Sequence, residues 1–157
     1  MSVIVWRICR RVRAATAFDG EGARLFPGRW NHVHVPVVYC ASSLSLATLE
    51  YFVHLDPDDL PSDLVAIRAK LPNHDVERLD AKRLPRDWRR YPAPNALKEL
   101  GDEWVRDARS LALRVPSAVT PIEDNVLINP KHPRFASLEL SPPEPFAFDP
   151  RIVKRTK

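Results

Sequence analysis

The sequence is poor in glycine and cysteine and has no long apolar run. Its 157 residues include 4 glycines and 2 cysteines. Loops that cradle a phosphate by backbone contact need several glycines, and the chain contains neither a Gly-x-Gly-x-x-Gly pattern nor a Gly-Lys-Ser/Thr loop. Any nucleotide that binds here is therefore expected to be held by side chains, above all by arginine.

The scarcity of cysteine and of apolar runs also narrows the class of protein. Cys9 and Cys40 cannot build a disulfide framework and do not form a Cys-x-x-Cys pair, so we expect two buried free thiols. No apolar run approaches the roughly 20 residues of a membrane span. A net charge of +4 is too small to indicate a dedicated nucleic-acid protein. We expect one cytoplasmic domain over residues 1–157, with no membrane and no direct nucleic-acid binding.

Hydrophobic periodicity predicts a mixed α+β fold. Alternation over 4–8 and 65–71 predicts two strands, and the apolar segment 35–41 predicts a third that is buried on both faces. Helical spacing predicts one helix after Ser42-Ser43 through Leu55, capped by serine, and a second over 95–109, capped by Asn95. Further short strands are predicted at 112–115, 126–128 and 137–140.

Glu50 is the sharpest chemical signal in the chain. On the first predicted helix, Leu46, Leu49 and Val53 form the apolar stripe, and Glu50 falls beside Leu46 rather than opposite it. A carboxylate in that position must be paired, protonated or functional. A structural ion pair and a functional site are both compatible with this placement.

Three other polar residues lie in restricted places. Arg29 follows a Pro-Gly turn, where its guanidinium could be oriented toward a phosphate or simply be exposed. Tyr39 lies on an apolar strand, as a core tyrosine or as the lining of a cleft. Ser117 follows Pro116 and lacks a Gly-x-Ser-x-Gly setting, so we expect it to form hydrogen bonds rather than to act as a nucleophile.

Two further patterns have weaker functional interpretations. His32 and His34 have the spacing of two ligands on a strand, but no neighbouring Cys, Asp or Glu completes a set, so we expect no metal site. The basic segment 83–90 contains Trp88 and is compatible with RNA contact or with a solvated loop.

Taken in order, several segments of this chain resemble the RES domain family, toxins of bacterial type II toxin–antitoxin systems named for Arg, Glu and Ser positions. The resemblance extends over nearly the whole chain. The matching segments are Trp6-Arg7-Ile8, Gly28-Arg29-Trp30-Asn31, Val37-Val38-Tyr39, Ser45-Leu46-Ala47-Thr48-Leu49-Glu50, Val115-Pro116-Ser117-Ala118, the run 125–133 and the run 146–151.

The resemblance implies a fold similar to mono-ADP-ribosyltransferases, a mostly antiparallel split sheet with helices. It implies that NAD is a substrate, cleaved by hydrolysis or phosphorolysis, and not a true cofactor. The implied site residues are Arg29 on the diphosphate, Tyr39 on the nicotinamide, Glu50 on a ribose hydroxyl and Ser117 on the ribose or the attacking water. Arg7 is implied as a further residue of the cleft.

The resemblance also implies partners. It predicts a cognate antitoxin with an Xre-type helix-turn-helix and a homodimeric toxin within a larger complex. Three other functions stay open at this point: ADP-ribosyl transfer to a host protein, an RNA-targeting toxin that uses residues 83–90, and a binding module without catalysis.

Overall fold

The computed structural model describes residues 1–153, which form one sheet of eight strands with three α-helices. The predicted domain of residues 1–157 ends in 154–157, which lie outside the described residues. The strands are β1 (Ser2–Arg10), β2 (Val38–Ala41), β3 (Leu64–Pro72), β4 (Val76–Arg78), β5 (Ala112–Pro116), β6 (Asp124–Ile128), β7 (Glu139–Leu140) and β8 (Glu144–Phe146). The helices are α1 (Glu21–Leu25), α2 (Leu44–Phe52) and α3 (Asn95–Asp107).

The sheet is mostly antiparallel, as the family resemblance implies. Its order is β4-β5-β6-β2-β1-β3-β7, with β8 also paired to β3, and the β4–β5 pair is parallel. The shortest strand pairing in the sheet is that between β1 and β2, which contains the single residue pair Trp6↔Ala41. The α+β class is confirmed, whereas the split sheet and the likeness to ADP-ribosyltransferases stay predictions.

The predicted strands are present with changed ends. β1 and β3 extend the predicted segments, while β2 begins at Val38 instead of Val35. The reason is a turn in which Val35 N donates to His32 O and His34 has a φ of 76°. Pro36 then has no N–H to donate to a ladder. Strands β4 and β8 were not predicted, because three-residue strands carry too little periodicity to detect.

One face of the sheet carries the largest apolar cluster. Val3, Val5 and Cys9 of β1 meet Val65, Ile67, Ala69 and Leu71 of β3, together with Val38, Cys40, Val126 and Ile128. The alternation predicted for β3 therefore points the expected side chains to this face. In β1 the alternation is present, but the main cluster takes Val5 and Cys9, whereas Ile8 of the predicted apolar set packs on the opposite face and Ile4 is exposed. Cys9 and Cys40 are both buried and free, as predicted. Burial raises the pKa of the Cys9 thiol and raises the pKa of Cys40 to about 12.

The opposite face carries two separate clusters, one under each long helix. The α3 cluster contains Trp30, Val37, Leu97, Trp104, Leu113, Val115 and Leu127, with Tyr39 packed at its margin. The α2 cluster contains Ile8, Ala41, Leu46, Ala47, Leu64 and Ala66. Because Tyr39 and Ala41 of one strand belong to different clusters, the boundary between the clusters crosses β2. The candidate site residues lie at this boundary.

Helix α3 ends two residues earlier than predicted, and its cap differs. It stops at Asp107, and Ala108 takes a left-handed conformation with φ 48°. Asn95 is the first helical residue, and the capping position is occupied by Pro94 without a side-chain hydrogen bond. The side chain of Asn95 instead donates to Glu99 and contacts His32. In residues 1–153, no helix has the length and apolarity needed to span a bilayer.

Candidate active site

Helix α2 directs Glu50 toward the sheet. Ser43 caps it as predicted, accepting a hydrogen bond from Leu46 N at 3.1 Å. Leu46 and Ala47 are buried, and Glu50 lies on the same side, four and three residues further on. The predicted stripe is wrong at Leu49 and Val53, which are 40% and 52% exposed. The helix ends at Phe52, and the side with Leu49 faces solvent, so only the Leu46 side packs.

Two neutral donors converge on one oxygen of Glu50. Ser117 Oγ donates to Glu50 Oε1 at 2.6 Å, and Asn125 Nδ2 donates to the same oxygen at 2.7 Å. Ser117 is fully buried and its Oγ accepts from the amides of Val119 and Thr120, at 3.1 and 3.0 Å. Within residues 1–153 no Lys or Arg forms an ion pair with Glu50, so the alternative of a structural ion pair has no partner there.

The side chain of Arg29 is held by main-chain carbonyl oxygens of a segment that is distant from it in the sequence. Its Nη1 donates to the carbonyl oxygens of Trp88 and Arg90, at 2.8 and 3.0 Å. Burial lowers the pKa of Arg29, and the nearby carboxylate of Glu50 acts in the opposite direction. Nη1 is thus occupied, while Nε and Nη2 form no hydrogen bond within the described residues. The guanidinium keeps the two donors that a bidentate contact with an oxyanion requires.

Tyr39 is fixed through its hydroxyl. The phenol donates to Asn31 Oδ1 at 2.6 Å and accepts from Trp30 N at 3.0 Å. Burial raises its pKa above the ordinary value of a tyrosine. A β-carbon on residue 28 would lie 2.7 Å from Tyr39 Cζ, so only glycine permits this close approach. The hydroxyl is satisfied inside the protein, which leaves the ring as the part of Tyr39 available to a ligand.

Arg7 joins β1 to β2 at the shortest strand pairing of the sheet. Its Nη1 donates to the carbonyl oxygen of Tyr39 at 2.8 Å. Its Nε is buried and has no hydrogen-bond partner within the described residues. Arg7 therefore supports the strand that carries Tyr39, and its contact with a ligand stays a prediction.

The structure thus brings together residues from five separate parts of the chain: Arg7, Arg29, Tyr39, Glu50 and Ser117. Glu50 and Ser117 are in direct contact, and the carboxylate of Glu50 lies close enough to Arg29 to oppose the lowering of the Arg29 pKa by burial. Sequence reasoning gave no role to Asn31 or Asn125. Asn31 is fully buried and bonds the amide of Gly28 as well as Tyr39. Asn125 could have been noticed as the polar residue that directly precedes the predicted apolar strand 126–128, and the structure includes it in β6.

His32 fastens the loop of Arg29 to α3. Its Nδ1 lies 2.5 Å from Asp102 Oδ2, and its Nε2 lies 2.6 Å from Asn95 Oδ1. Asn95 Nδ2 donates to Glu99, so Oδ1 is the accepting end of that amide. Both ring nitrogens face acceptors, and only an imidazolium donates to both. The hydrogen bond that His32 donates to Asp102 is the main reason that the pKa of His32 is raised. No group of three or more His, Cys, Asp or Glu that could hold a metal occurs in the described part of the chain.

The hydrogen bond between His32 and Asp102 predicts that the stability of the protein depends on pH. Because the folded pKa of His32 exceeds its unfolded value, the stabilisation is complete below the unfolded pKa, about 6.5, and is lost as pH rises through the folded pKa. We expect the urea midpoint of the wild type to fall relative to that of His32→Gln between about pH 6 and pH 9. The control, His54→Gln, replaces an exposed histidine and should run parallel to the wild type. Parallel curves for His32→Gln as well would contradict the assignment.

Three arginines of the basic segment 83–90 form ion pairs or hydrogen bonds with other residues of the protein. Arg83 pairs with Glu103 at 2.8 Å, and Arg90 pairs with Asp87 at 3.4 Å. Arg89 donates twice to the carbonyl oxygen of Ala118, at 3.1 and 3.0 Å. The segment therefore bridges the Arg29 and Ser117 loops. No observation favours its alternative use in RNA contact.

Comparison with known proteins gives a consistent set of similarities. The family model described as RES domain matches residues 4–149. "Toxin Res" of Photorhabdus laumondii is 36% identical over 156 residues, covering 99% of this chain and 100% of that protein. "Toxin Res" of Yersinia enterocolitica is 37% identical over 151 residues, covering 96% of this chain and 99% of that protein. "Prs ADP-ribosylating toxin" of a Sphingobium species is 35% identical over 160 residues, covering 99% of each.

Among solved structures, similarity in fold extends to the crystal structure of the M. tuberculosis MbcT–MbcA toxin–antitoxin complex. The matching chain superposes with a TM-score of 0.73 at 18% identity, covering 98% of this chain and 87% of that chain. At this identity the likeness concerns the fold alone.

Proposed function

The chain belongs to the RES domain family of toxins, and from this premise we propose that it cleaves the N-glycosidic bond between nicotinamide and ribose in NAD. In hydrolysis, the ribose C1–N bond breaks, nicotinamide leaves with the bonding electron pair, and a water oxygen bonds to C1 and gives up a proton. In phosphorolysis, a phosphate oxygen takes the place of water. Either route consumes NAD and releases nicotinamide.

The observation that carries this proposal is the anchored carboxylate of Glu50. Breaking the glycosidic bond develops positive charge on the ribose, and a fixed carboxylate stabilises that charge more in the transition state than in the ground state. Ser117 and Asn125 occupy Oε1, while Oε2 accepts no hydrogen bond within residues 1–153. An oriented carboxylate that forms no ion pair within residues 1–153, at the boundary of two clusters, suits this role.

The neighbouring residues suit the rest of a dinucleotide. Arg29 has Nε and Nη2 available for the diphosphate, which accounts for nucleotide binding in a chain with few glycines. Tyr39 offers its ring for stacking on nicotinamide, since its hydroxyl is bonded to Asn31 and Trp30. Ser117 is already bonded to Glu50, so we assign it to positioning that carboxylate and the ribose beside it.

We propose further that a cognate antitoxin of the Xre type silences the enzyme, that the toxin is a dimer within that complex, and that it acts in the cytoplasm. Exposed aromatic side chains near the Arg29 loop support a protein partner there. Phe26 and Tyr91 are each 81% exposed, and Tyr91 follows Arg90, whose carbonyl oxygen accepts a hydrogen bond from Arg29. Exposed apolar groups beside a site are typical of protein contact surfaces.

The direct test is nicotinamide release from NAD by the purified, antitoxin-free protein, with and without inorganic phosphate. We expect one nicotinamide per NAD consumed. Free ADP-ribose as product indicates hydrolysis, and phosphorylated ADP-ribose that appears only with phosphate indicates phosphorolysis. Absence of release under both conditions and in the presence of cell extract would refute the proposal.

Transfer of ADP-ribose to a protein is the second candidate, and one observation favours it. The Sphingobium relative, 35% identical over nearly the full length of both chains, is named as an ADP-ribosylating toxin. Labelled NAD in cell extract distinguishes the two activities. Transfer leaves the label on a macromolecule, whereas hydrolysis leaves it on free ADP-ribose.

A further inference from the structure

We propose that Asn125 is a positioning residue for Glu50: with Ser117 it anchors Oε1, so that Oε2 is the oxygen that contacts the ribose. This inference rests on the proposed cleavage of NAD and assigns the two carboxylate oxygens of Glu50 different tasks. Asn125 acts through Glu50 and needs no contact with the substrate.

The geometry separates the two oxygens. Asn125 Nδ2 and Ser117 Oγ lie 2.7 and 2.6 Å from Oε1. No donor reaches Oε2 within residues 1–153. Two donors on one oxygen fix the plane of the carboxylate and leave the second oxygen with its full accepting capacity.

Asn125 is itself held in place by the sheet. It lies in β6, where it pairs with Ala41 of β2 on one side and with Val115 of β5 on the other. A residue with a strand on both sides has little backbone freedom. Its amide donor therefore reaches Glu50 from a rigid base, and the Ser117 hydroxyl is likewise held in a buried position.

The need to satisfy a buried charge does not explain these contacts. Glu50 is only half-buried, so water can reach the carboxylate. The two donors instead select one orientation of a long side chain that would otherwise sample several rotamers.

The neutral character of both donors also matters. An arginine or lysine bonded to Glu50 would orient the carboxylate but would offset the negative charge that the developing ribose cation requires. A side-chain amide and a hydroxyl orient the group and leave its charge in place. Asn125 is thus suited to positioning a carboxylate that works through its charge.

Asn125→Ala tests the proposal directly. Because hydrogen bonds to charged groups contribute about 1.5–3 kcal/mol, we expect kcat for nicotinamide release to fall by about 10- to 100-fold, with KM changed less than about threefold. The matched control is Asp124→Asn. Asp124 immediately precedes Asn125 in β6, so its side chain lies on the opposite face of the sheet, where it pairs with Arg78 at 2.7 Å. We therefore expect kcat to stay near the wild-type value.

Asn125→Asp supplies a signature that a merely structural role would not give. The new carboxyl donates to Glu50 Oε1 only when it carries a proton, and the two groups repel each other when both are ionised. The activity of this variant relative to the wild type should therefore rise as pH falls. The same ratio for Asn125→Ala should stay flat. A flat ratio for both variants would overturn the positioning role.

Failure of this inference is distinguishable from failure of the proposed function. If the wild type releases nicotinamide and Asn125→Ala keeps its kcat within twofold, cleavage of NAD stands and the role of Asn125 falls. If the wild type releases none, the contact can be measured without any substrate. A double-mutant cycle of Asn125→Ala and Glu50→Ala, followed by urea unfolding, gives the interaction between the two side chains. Non-additive midpoint shifts support the contact, and additive shifts overturn it.

Discussion

Glu50→Gln is expected to lower kcat for nicotinamide release by about a hundred- to a thousandfold. Glutamine keeps the size of the side chain and an oxygen that can accept from Ser117 and Asn125, so both hydrogen bonds to the anchored position can persist. What the variant loses is the negative charge beside the ribose. We therefore expect KM for NAD to change little while the chemical step slows.

A matched variant shows whether the loss is specific. Glu139→Gln removes the same charge from an exposed position on β7, where the carboxylate lies 3.8 Å from Lys70. It should retain wild-type kcat. Nicotinamide release is followed by chromatography, and the urea midpoint of each variant establishes that it is folded. A folded Glu50→Gln protein with full activity would show that the carboxylate charge is not required.

Gly101→Ala is expected to destabilise the protein and to weaken NAD binding. In an exposed helix, alanine in place of glycine stabilises by about 1 kcal/mol. Here a β-carbon on residue 101 would lie 1.7 Å from the carbonyl oxygen of Trp30, so α3 and the loop of Arg29 must separate. Overpacking of this kind costs about 1–3 kcal/mol, which lowers the melting temperature by several degrees in a protein of this size.

The effect on binding follows from what adjoins Trp30. Arg29 precedes Trp30 in the chain, and Trp30 N donates to the hydroxyl of Tyr39. Displacement of this segment moves the guanidinium, so KM for NAD should rise together with the loss in stability. Gly22→Ala is the control, because a β-carbon there meets nothing within 4 Å. It should melt at or slightly above the wild-type temperature. A melting temperature for Gly101→Ala at or above that of the control would show that α3 does not pack in this way.

The sequence by itself predicted the elements whose periodicity is long enough to detect. Val65 to Leu71 alternates because one face of β3 meets the main cluster, and the buried segment around Tyr39 is apolar because both faces of β2 are covered. The serine cap of α2 follows from local hydrogen bonding, which involves only residues close in the chain. The stripe of α2 failed at Leu49, because which side of a short helix is buried depends on its docking to the sheet.

The family resemblance singled out Arg29, Tyr39, Glu50 and Ser117, but their contacts were beyond the sequence. Ser117 and Glu50 are 67 residues apart in the chain and 2.6 Å apart in space. Asn125 received no role, because nothing local marks an asparagine as the donor to a carboxylate 75 residues away. Likewise, the sequence alone indicates only that Gly101 weakens a helix, whereas the structure shows that Trp30 packs against it.

The sequence therefore determined the class of fold, the main strands and helices, and the chemical types available for a site. Those properties follow from patterns between near neighbours: alternation, helical spacing and local caps. Tertiary structure decided which oxygen of Glu50 is anchored, which donors of Arg29 remain available, and that His32 fastens the loop to α3. These contacts arise where β2, β5, β6 and the two long helices meet, and pairing between distant segments is set by packing of the whole chain rather than by any local pattern.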